Sequence, residues 1–262
     1  MSNSAPKTWT VARAVASVTF SEIIRDKILY NIVLFGLILF GVSILAARVT
    51  FISPERVILD FGMSALNISC AMIAVFTGAS VLSREFERRT VYVALSHPIS
   101  RTQFVFGKFL GLASVITLNW ILLSAFLGFL YHLKDGVLNS TIVIGMFFLL
   151  IQSFMLSGIA LLISSFSTTS ISVIITIGFY LLGNNISQLR LLGVQSHSGL
   201  EKHAFNLISQ VLPNLEFFNL GLKITYGIPV SASFVMTSVL YGATVITSCL
   251  LVSGVLLKKK EQ

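Results

Sequence analysis

Charge is what this sequence has least of. Only 11% of its 262 residues are charged and 55% are hydrophobic, with a mean hydropathy of +0.90. A soluble globular chain carries roughly 25% charged residues, so that class is excluded and a polytopic membrane protein is implied. Acidic residues are the scarcer sign, 10 against 18 Lys and Arg, for a net charge of +8. A basic excess can mark a nucleic-acid binder, but here the cations flank apolar runs and are not gathered into a soluble module, which fits membrane topology and no nucleic acid. Cysteine is nearly absent: Cys70 and Cys249 both lie inside apolar runs. That excludes a disulfide framework or a zinc site and leaves buried packing. A span needs about 20 apolar residues, so several spans consume most of the length. No room remains for a second folded domain of ~100 residues, and 1–262 reads as one membrane domain.

The first residues lack an apolar core of the signal-peptide kind, since the first long apolar run begins near Ile28. A cleaved signal peptide is not expected. From Trp9 to Lys27, Arg13, Ser17, Ser21 and Arg25 recur every four positions, with Ala12, Ala16, Phe20, Ile23 and Ile24 on the opposite side. This spacing predicts an interfacial amphipathic helix over 9–27, the alternative being a polar extension of the first span. Spans follow at about 29–47, 60–82 and 107–131, and Gly107 with Gly111 matches the small-xxx-small pattern of close helix approach. From Gly136 to Leu189 there are 54 consecutive residues without a charged side chain. As one helix these would extend about 80 Å against a hydrocarbon core of about 30 Å, so the run must fold back. Its polar centre, Ser164 to Ser170, gives spans at 141–164 and 170–189. In the next segment Ser198 and Glu201 have capping-box spacing, and Leu200, Ala204, Leu207, Ile208, Val211 and Leu212 form one apolar face before Pro213. An amphipathic or re-entrant helix outside the spans is expected there. The sixth span, 231–257, ends at Lys258-Lys259-Lys260.

With both termini and the loops around 84–101 and 164–170 on one side, that side holds 12 basic residues, including Lys108, and the other holds six. The excess places both termini in the cytoplasm. Within this arrangement the stretch from Arg84 to Lys108 is the one long polar interruption with clustered charge of both signs. Pro98 ends a helix at His97, and Ser100 with Gln103 has the spacing to cap the next. A short helix, a sharp turn and a rigid re-entry can convert a push from a cytoplasmic partner into a tilt of two spans. The alternative is a solvated basic loop that only fixes topology.

Several chemistries lack their residues. Gly107-Lys108 has neither the upstream glycine nor the following Ser or Thr of a phosphate-cradling loop. His97, His132, His197 and His203 all fall outside the spans, which leaves Ser80 and Ser157 without a base at depth for an intramembrane hydrolase. Ion-coupled transporters carry ionisable residues within their spans, and only Asp60, at a span's edge, approaches that here. A secondary transporter remains the alternative function. The six methionines are dispersed, so no copper or other metal site is expected.

Arg84-Glu85, Arg89-Thr90, Leu95-Ser-His-Pro98, Ser100-Arg101 and Gly107-Lys108 resemble the pattern that follows the second span of ABC-2 type transporter permeases, with Ala94-Leu95 in place of Leu-Leu. The resemblance covers essentially the whole chain. The tail, Leu212 to Asn219 with Tyr226 to Pro229, is similar to the NosY-like subgroup of permeases for multicopper-enzyme maturation. The resemblance implies an all-α polytopic fold of six spans with a cytoplasmic coupling helix between spans two and three. It implies a non-catalytic permease subunit of an exporter or extruder, paired with a second permease copy or close relative, in the bacterial inner membrane. ATP and Mg would be bound by a separate cytoplasmic ATPase, and no cofactor by this chain; an external or periplasmic partner is a further implied class. Carried over by position, the ATPase-coupling interface would comprise Arg84, Glu85, Glu87, Arg88, Arg89, Thr90, Tyr92, Leu95, Ser96, His97, Pro98 and Arg101, with Ser165 and Thr168 in a second contact. Asn67, Asn184, Asn185 and Gln188 would line the path, or else make interhelical hydrogen bonds.

Overall fold

The computed structural model describes residues 8–50, 54–87, 100–134, 136, 138–195, 199–225 and 228–259. Among these residues the secondary structure is helical throughout, with no strand: α1 (Thr8–Ile24), α2 (Lys27–Val49), α3 (Pro54–Glu87), α4 (Arg101–His132), α5 (Ser140–Ser164), α6 (Thr169–Gly183), α7 (Ile186–Gln195), α8 (Gly199–Val211), a 3-10 turn (Glu216–Phe218), α9 (Gly221–Thr225) and α10 (Ala232–Lys259). Five helices, α2, α3, α4, α5 and α10, are long and apolar enough to cross a membrane, or six if the bent pair α6 and α7 counts as one. The chain is a multi-pass membrane protein.

Local chemistry sets the helix starts. Asp26 caps α2, its carboxylate accepting the Ile28 N–H at 3.1 Å. Pro54 opens α3, where an amide hydrogen is not needed, and Glu55 in its first turn and Arg84 in its last complement the helix dipole. The expected capping box before α4 is present: Ser100 Oγ accepts the Gln103 N–H at 3.3 Å, and Gln103 Oε1 accepts the Ser100 N–H at 3.2 Å. Of the second expected box, Ser198 lies outside the described residues, while Glu201 is in the first turn of α8.

Three spans differ from the sequence reading. The second begins at Pro54 instead of near 60 and continues past Leu82 without a break to Glu87, and the third begins at Arg101 instead of Gly107. At 1.5 Å per residue these helices of 34 and 32 residues are about 50 Å long, well beyond a ~30 Å core. The third difference is the fifth span, read as continuous over 170–189, which is bent by 72° between Gly183 and Ile186. Two side-chain amides cause the break. Asn184 Nδ2 donates to the Tyr180 carbonyl and Asn185 Nδ2 to the Leu181 carbonyl, both at 2.8 Å, in competition with the backbone ladder. The segment after α8 then satisfies the broken ends: the Leu215 N–H donates to the Gly183 carbonyl at 3.0 Å, and Glu216 Oε2 accepts the Ser187 N–H at 2.9 Å.

Helices α3 and α5 form the centre of the bundle. Their most apolar windows are 72% and 83% buried, against 28% for both α2 and α10. At one end of the bundle Leu82, Leu112, Leu156, Leu161 and Leu257 pack together; toward the other, Phe40, Leu66, Leu127, Phe148 and Phe218 do. Phe218 reaches the second group because the 3-10 turn folds back over α5, its ring edge-on to Phe148 at 5.6 Å.

Candidate functional site at the Arg84 end of the bundle

The ends of four membrane helices meet α1 around a small set of charges. In α1 and the turn after it the polar positions Arg13, Ser17, Ser21 and Arg25 are exposed while Ala12 and Ile23 are buried, as the fourfold spacing predicts. The buried side lies along α4. A side chain at Gly107 would meet Val15 Cβ at 2.7 Å and the Ala12 carbonyl oxygen at 2.9 Å; one at Gly111 would meet Thr19 Cβ at 2.6 Å and the Ala16 carbonyl at 2.8 Å. Gly107 and Gly111 thus face Ala12 and Ala16 in parallel register, and the small-xxx-small pattern receives the N-terminal helix. This packing brings the acidic end of α1 over Lys108.

Lys108 is only 3% exposed. Its ammonium contacts a Glu85 carboxylate oxygen closely, lies 3.8 Å from Glu22 Oε2 and sits 5.7 Å from the Phe104 ring centroid. Removing one partner of such a buried pair costs about 3–5 kcal/mol, because the other charge is left uncompensated in a poorly solvated place. One turn away, Arg84 Nη1 bonds Asp26 Oδ2 at 2.8 Å. Burial pushes the Asp26 carboxyl up, but the Ile28 amide and the Arg84 guanidinium together outweigh it and hold this group below its ordinary value of 3.8. A cavity of about 370 Å³ opens beside these pairs, lined by Glu22, Asp26, Thr77, Ser80 and Arg84 among others.

The second loop comes to the same place. Ser83 of α3 is buried, with its Oγ 3.5 Å from the Ser164 carbonyl oxygen at the end of α5. Ser165 is buried beside it, whereas Thr168, the residue before α6, is exposed. Arg84, Glu85, Arg101, Ser165 and Thr168 therefore gather at one end, with Glu87 on the same helix terminus. Arg84 and Glu85 belong to the last turn of α3 and bond within the chain. Arg88, Arg89, Thr90, Tyr92, Leu95, Ser96, His97 and Pro98 lie outside the described residues.

The four asparagine and glutamine positions do not converge. Asn184 Oδ1 accepts from Gln152 Nε2 of α5 at 3.0 Å, an interhelical hydrogen bond. Asn185 and Gln188 are exposed near the bend, and Asn67 is half-buried on α3. Glu22, Asp26, Lys108, Asn119 and Gln152 were missed as site or packing residues. Scarcity was the available signal: with only ten acidic residues in the chain, Glu22 and Asp26 one turn apart are conspicuous. Buried Asn119 donates to Ser69 Oγ at 3.2 Å and ties α4 to α3. Among the described residues no cluster of His, Cys, Asp and Glu could hold a metal ion.

Comparison with curated proteins gives no match. A model of the family described as ABC-2 family transporter protein matches residues 13–261, nearly the full length and from α1 to beyond the end of α10. The chain belongs to the ABC-2 family of transporter proteins.

Proposed function

We propose that this chain is the non-catalytic permease subunit of an ATP-driven exporter or extruder, with both termini and the Arg84 end of the bundle in the cytoplasm. A separate ATPase would bind ATP and Mg and press on residues 88–99. A second permease copy or close relative would complete the path, with Asn67, Asn185 and Gln188 toward it and Asn184 retained for the bond to Gln152.

The observation that carries this reading is the pairing at both roots of the 88–99 connection. Glu85 at the end of α3 grips Lys108 of α4, and Arg84 grips Asp26 at the corner between α1 and α2. A displacement of the connection therefore reaches four helices together. Arg84 and Glu85 act as positioning residues, and direct salt bridges to the ATPase fall to Arg88 and Arg89. Membership of the ABC-2 family supports an ABC ATPase as the partner class. The NosY-like resemblance of the tail adds no cargo, and the position of α7 and α8 at the end away from Arg84 is compatible with an external partner there.

Affinity purification of the tagged protein in mild detergent tests the proposal. A P-loop ATPase should be recovered in equal amount, and Arg88→Ala with Arg89→Ala should lower its stimulated ATP hydrolysis while the melting profile of the permease stays unchanged. A lone, ATP-inert chain under several mild conditions would favour the secondary transporter instead.

A further inference from the structure

Lys108 has two carboxylates in reach, and neither comes from its own helix. No Asp or Glu occurs anywhere in α4, from Arg101 to His132. One carboxylate belongs to Glu85 in the last turns of α3, and the other to Glu22, the one acidic residue of α1. A single buried cation is therefore shared by acids on two different helices.

The two acids differ in surroundings. The side chains of Lys108 and Glu85 are 4% and 17% exposed, so their contact is largely dehydrated, whereas the side chain of Glu22 is 57% exposed. Parting Lys108 from Glu85 with nothing in its place would leave a dehydrated ion uncompensated, and a penalty of that kind would lock the end of α3 to α4. Glu22 removes this obstacle. Its Oε2 lies 3.8 Å from Lys108 Nζ, so a shift of about 1 Å brings the two to the ~2.8 Å of a charge-assisted hydrogen bond. The flexible four-carbon lysine stem supplies such a shift by rotation about its own bonds. Room exists on the same side, because Glu22 lines the cavity of about 370 Å³ together with Ser80 and Arg84 of α3. An opening, not a packed seam, separates Glu22 from the last turns of α3.

We infer that Glu22 is a positioning residue for coupling: when the connection draws the end of α3 away from α4, the Lys108 ammonium passes from Glu85 to Glu22 and stays paired in both positions. The contacts at Gly107 and Gly111 hold α1 on α4, so Glu22 travels with Lys108 while Glu85 comes and goes. The role in coupling rests on the permease reading proposed above, whereas the exchange of partners is a property of this chain alone.

The first arm of the test needs only the full chain, unfolded in mixed micelles. Glu22→Gln should raise the unfolding equilibrium constant no more than about fivefold, as for an exposed ion pair. Glu85→Gln should raise it about tenfold, because Glu22 takes over. The two together should raise it more than about a hundredfold, the cost of a buried ion with no partner, and so exceed the product of the single effects. Should the double variant not fold, adding Lys108→Met should restore folding, since no unpaired charge then remains. Single effects that simply multiply, a Glu85→Gln effect that Glu22→Gln does not enlarge, or a folding defect that Lys108→Met leaves in place would each overturn the exchange. The second arm uses the complex with the ATPase. Glu22→Gln should lower stimulated turnover severalfold at an unchanged KM for ATP, and Glu22→Asp should restore it, which a purely structural residue would not do. Unaltered turnover in Glu22→Gln, in a complex that still responds to Arg88→Ala with Arg89→Ala, refutes the role of Glu22 and leaves the coupling reading standing. If no ATPase co-purifies, that reading fails, and the first arm alone decides the exchange.

Discussion

Placing a methyl group at Gly107 or Gly111 should lift α1 off α4, and the expected size of the effect follows from what stands in the way. At Gly111 the added Cβ would come within 2.6 Å of Thr19 Cβ and 2.8 Å of the Ala16 carbonyl; at Gly107 it would come within 2.7 Å of Val15 Cβ and 2.9 Å of the Ala12 carbonyl. Two of these four obstacles are backbone atoms of α1, which no rotamer change relieves. The helix must translate away, and overpacking of this kind costs about 1–3 kcal/mol. Gly107→Ala and Gly111→Ala should each destabilise the docking of α1 by that amount. The double substitution should cost clearly less than the sum, because one outward movement relieves both clashes and neighbouring sites that share a partner are not additive. Hydrogen exchange of the α1 amides in detergent, with the α5 amides as an internal reference, measures this directly. Faster exchange confined to α1, with a sub-additive double mutant, is the expected result. Unchanged α1 exchange in Gly111→Ala, or full additivity, would show that the two glycines do not hold this helix in the register described.

Two further predictions concern polar contacts. Asp26 has a folded-state pKa below its ordinary value of 3.8, so its contribution to stability is present above that value and is lost as pH falls through the lower folded-state value. The corner between α1 and α2 should therefore loosen only below about pH 4, and Asp26→Asn, which keeps a capping side chain but not the charge, should remove this acid dependence from the exchange of the Ile28 amide. At the bend, Gln152→Leu and Asn184→Leu should each destabilise by about 0.6–2 kcal/mol, the range for interhelical hydrogen bonds in membranes. A double-mutant cycle on unfolding in mixed micelles should return a coupling energy of that order for this pair, and zero coupling would remove the Gln152–Asn184 bond as a determinant of the bend.

The spans and their caps were legible in the sequence because each rests on local chemistry. Ser100 and Gln103 three residues apart, charge-free runs of span length, and Ser164 to Ser170 as a reversal all act within a few residues, and α4, α5 and α6 begin or end there. The bend at Asn184-Asn185 was not legible as a bend. Asparagine in an apolar run can bond to its own helix or to a neighbour, and here it does both, so the pair suggested a path-lining position as readily as a break. Which partner an acid would choose was equally hidden. Glu85 sits in a stretch that points to an outside partner, yet its neighbour is Lys108, brought near because the end of α3 packs against the start of α4.

Burial was the least legible property, and the reason is physical. In water, apolar side chains mark the core; in a bilayer the lipid-facing and protein-facing sides are both apolar, so hydrophobic periodicity does not separate them. Helix α2 is the most apolar span by hydropathy, 2.5, and among the least buried at 28%, while α3 is the least apolar, 1.8, and is 72% buried. Hydropathy does not rank burial at all: α5, second in hydropathy, is the most buried at 83%, and the less apolar α10 is only 28% buried. What marks the interior is small and hydroxylated residues: Ser69, Thr77, Ala79 and Ser83 in α3 and Ser153, Ser157 and Ala160 in α5 are all at most 3% exposed. Thr77, Ser83, Ser153 and Ser157 donate to carbonyls of their own helix three or four residues back, which hides the hydroxyl and leaves a small surface for the neighbour. A side chain at Gly78 would come within 2.8 Å of Ala160 Cβ, so α3 and α5 meet where both sequences are smallest. The two central helices of this bundle are therefore encoded by what their side chains omit, and a reading weighted by residue size instead of hydropathy would have found them.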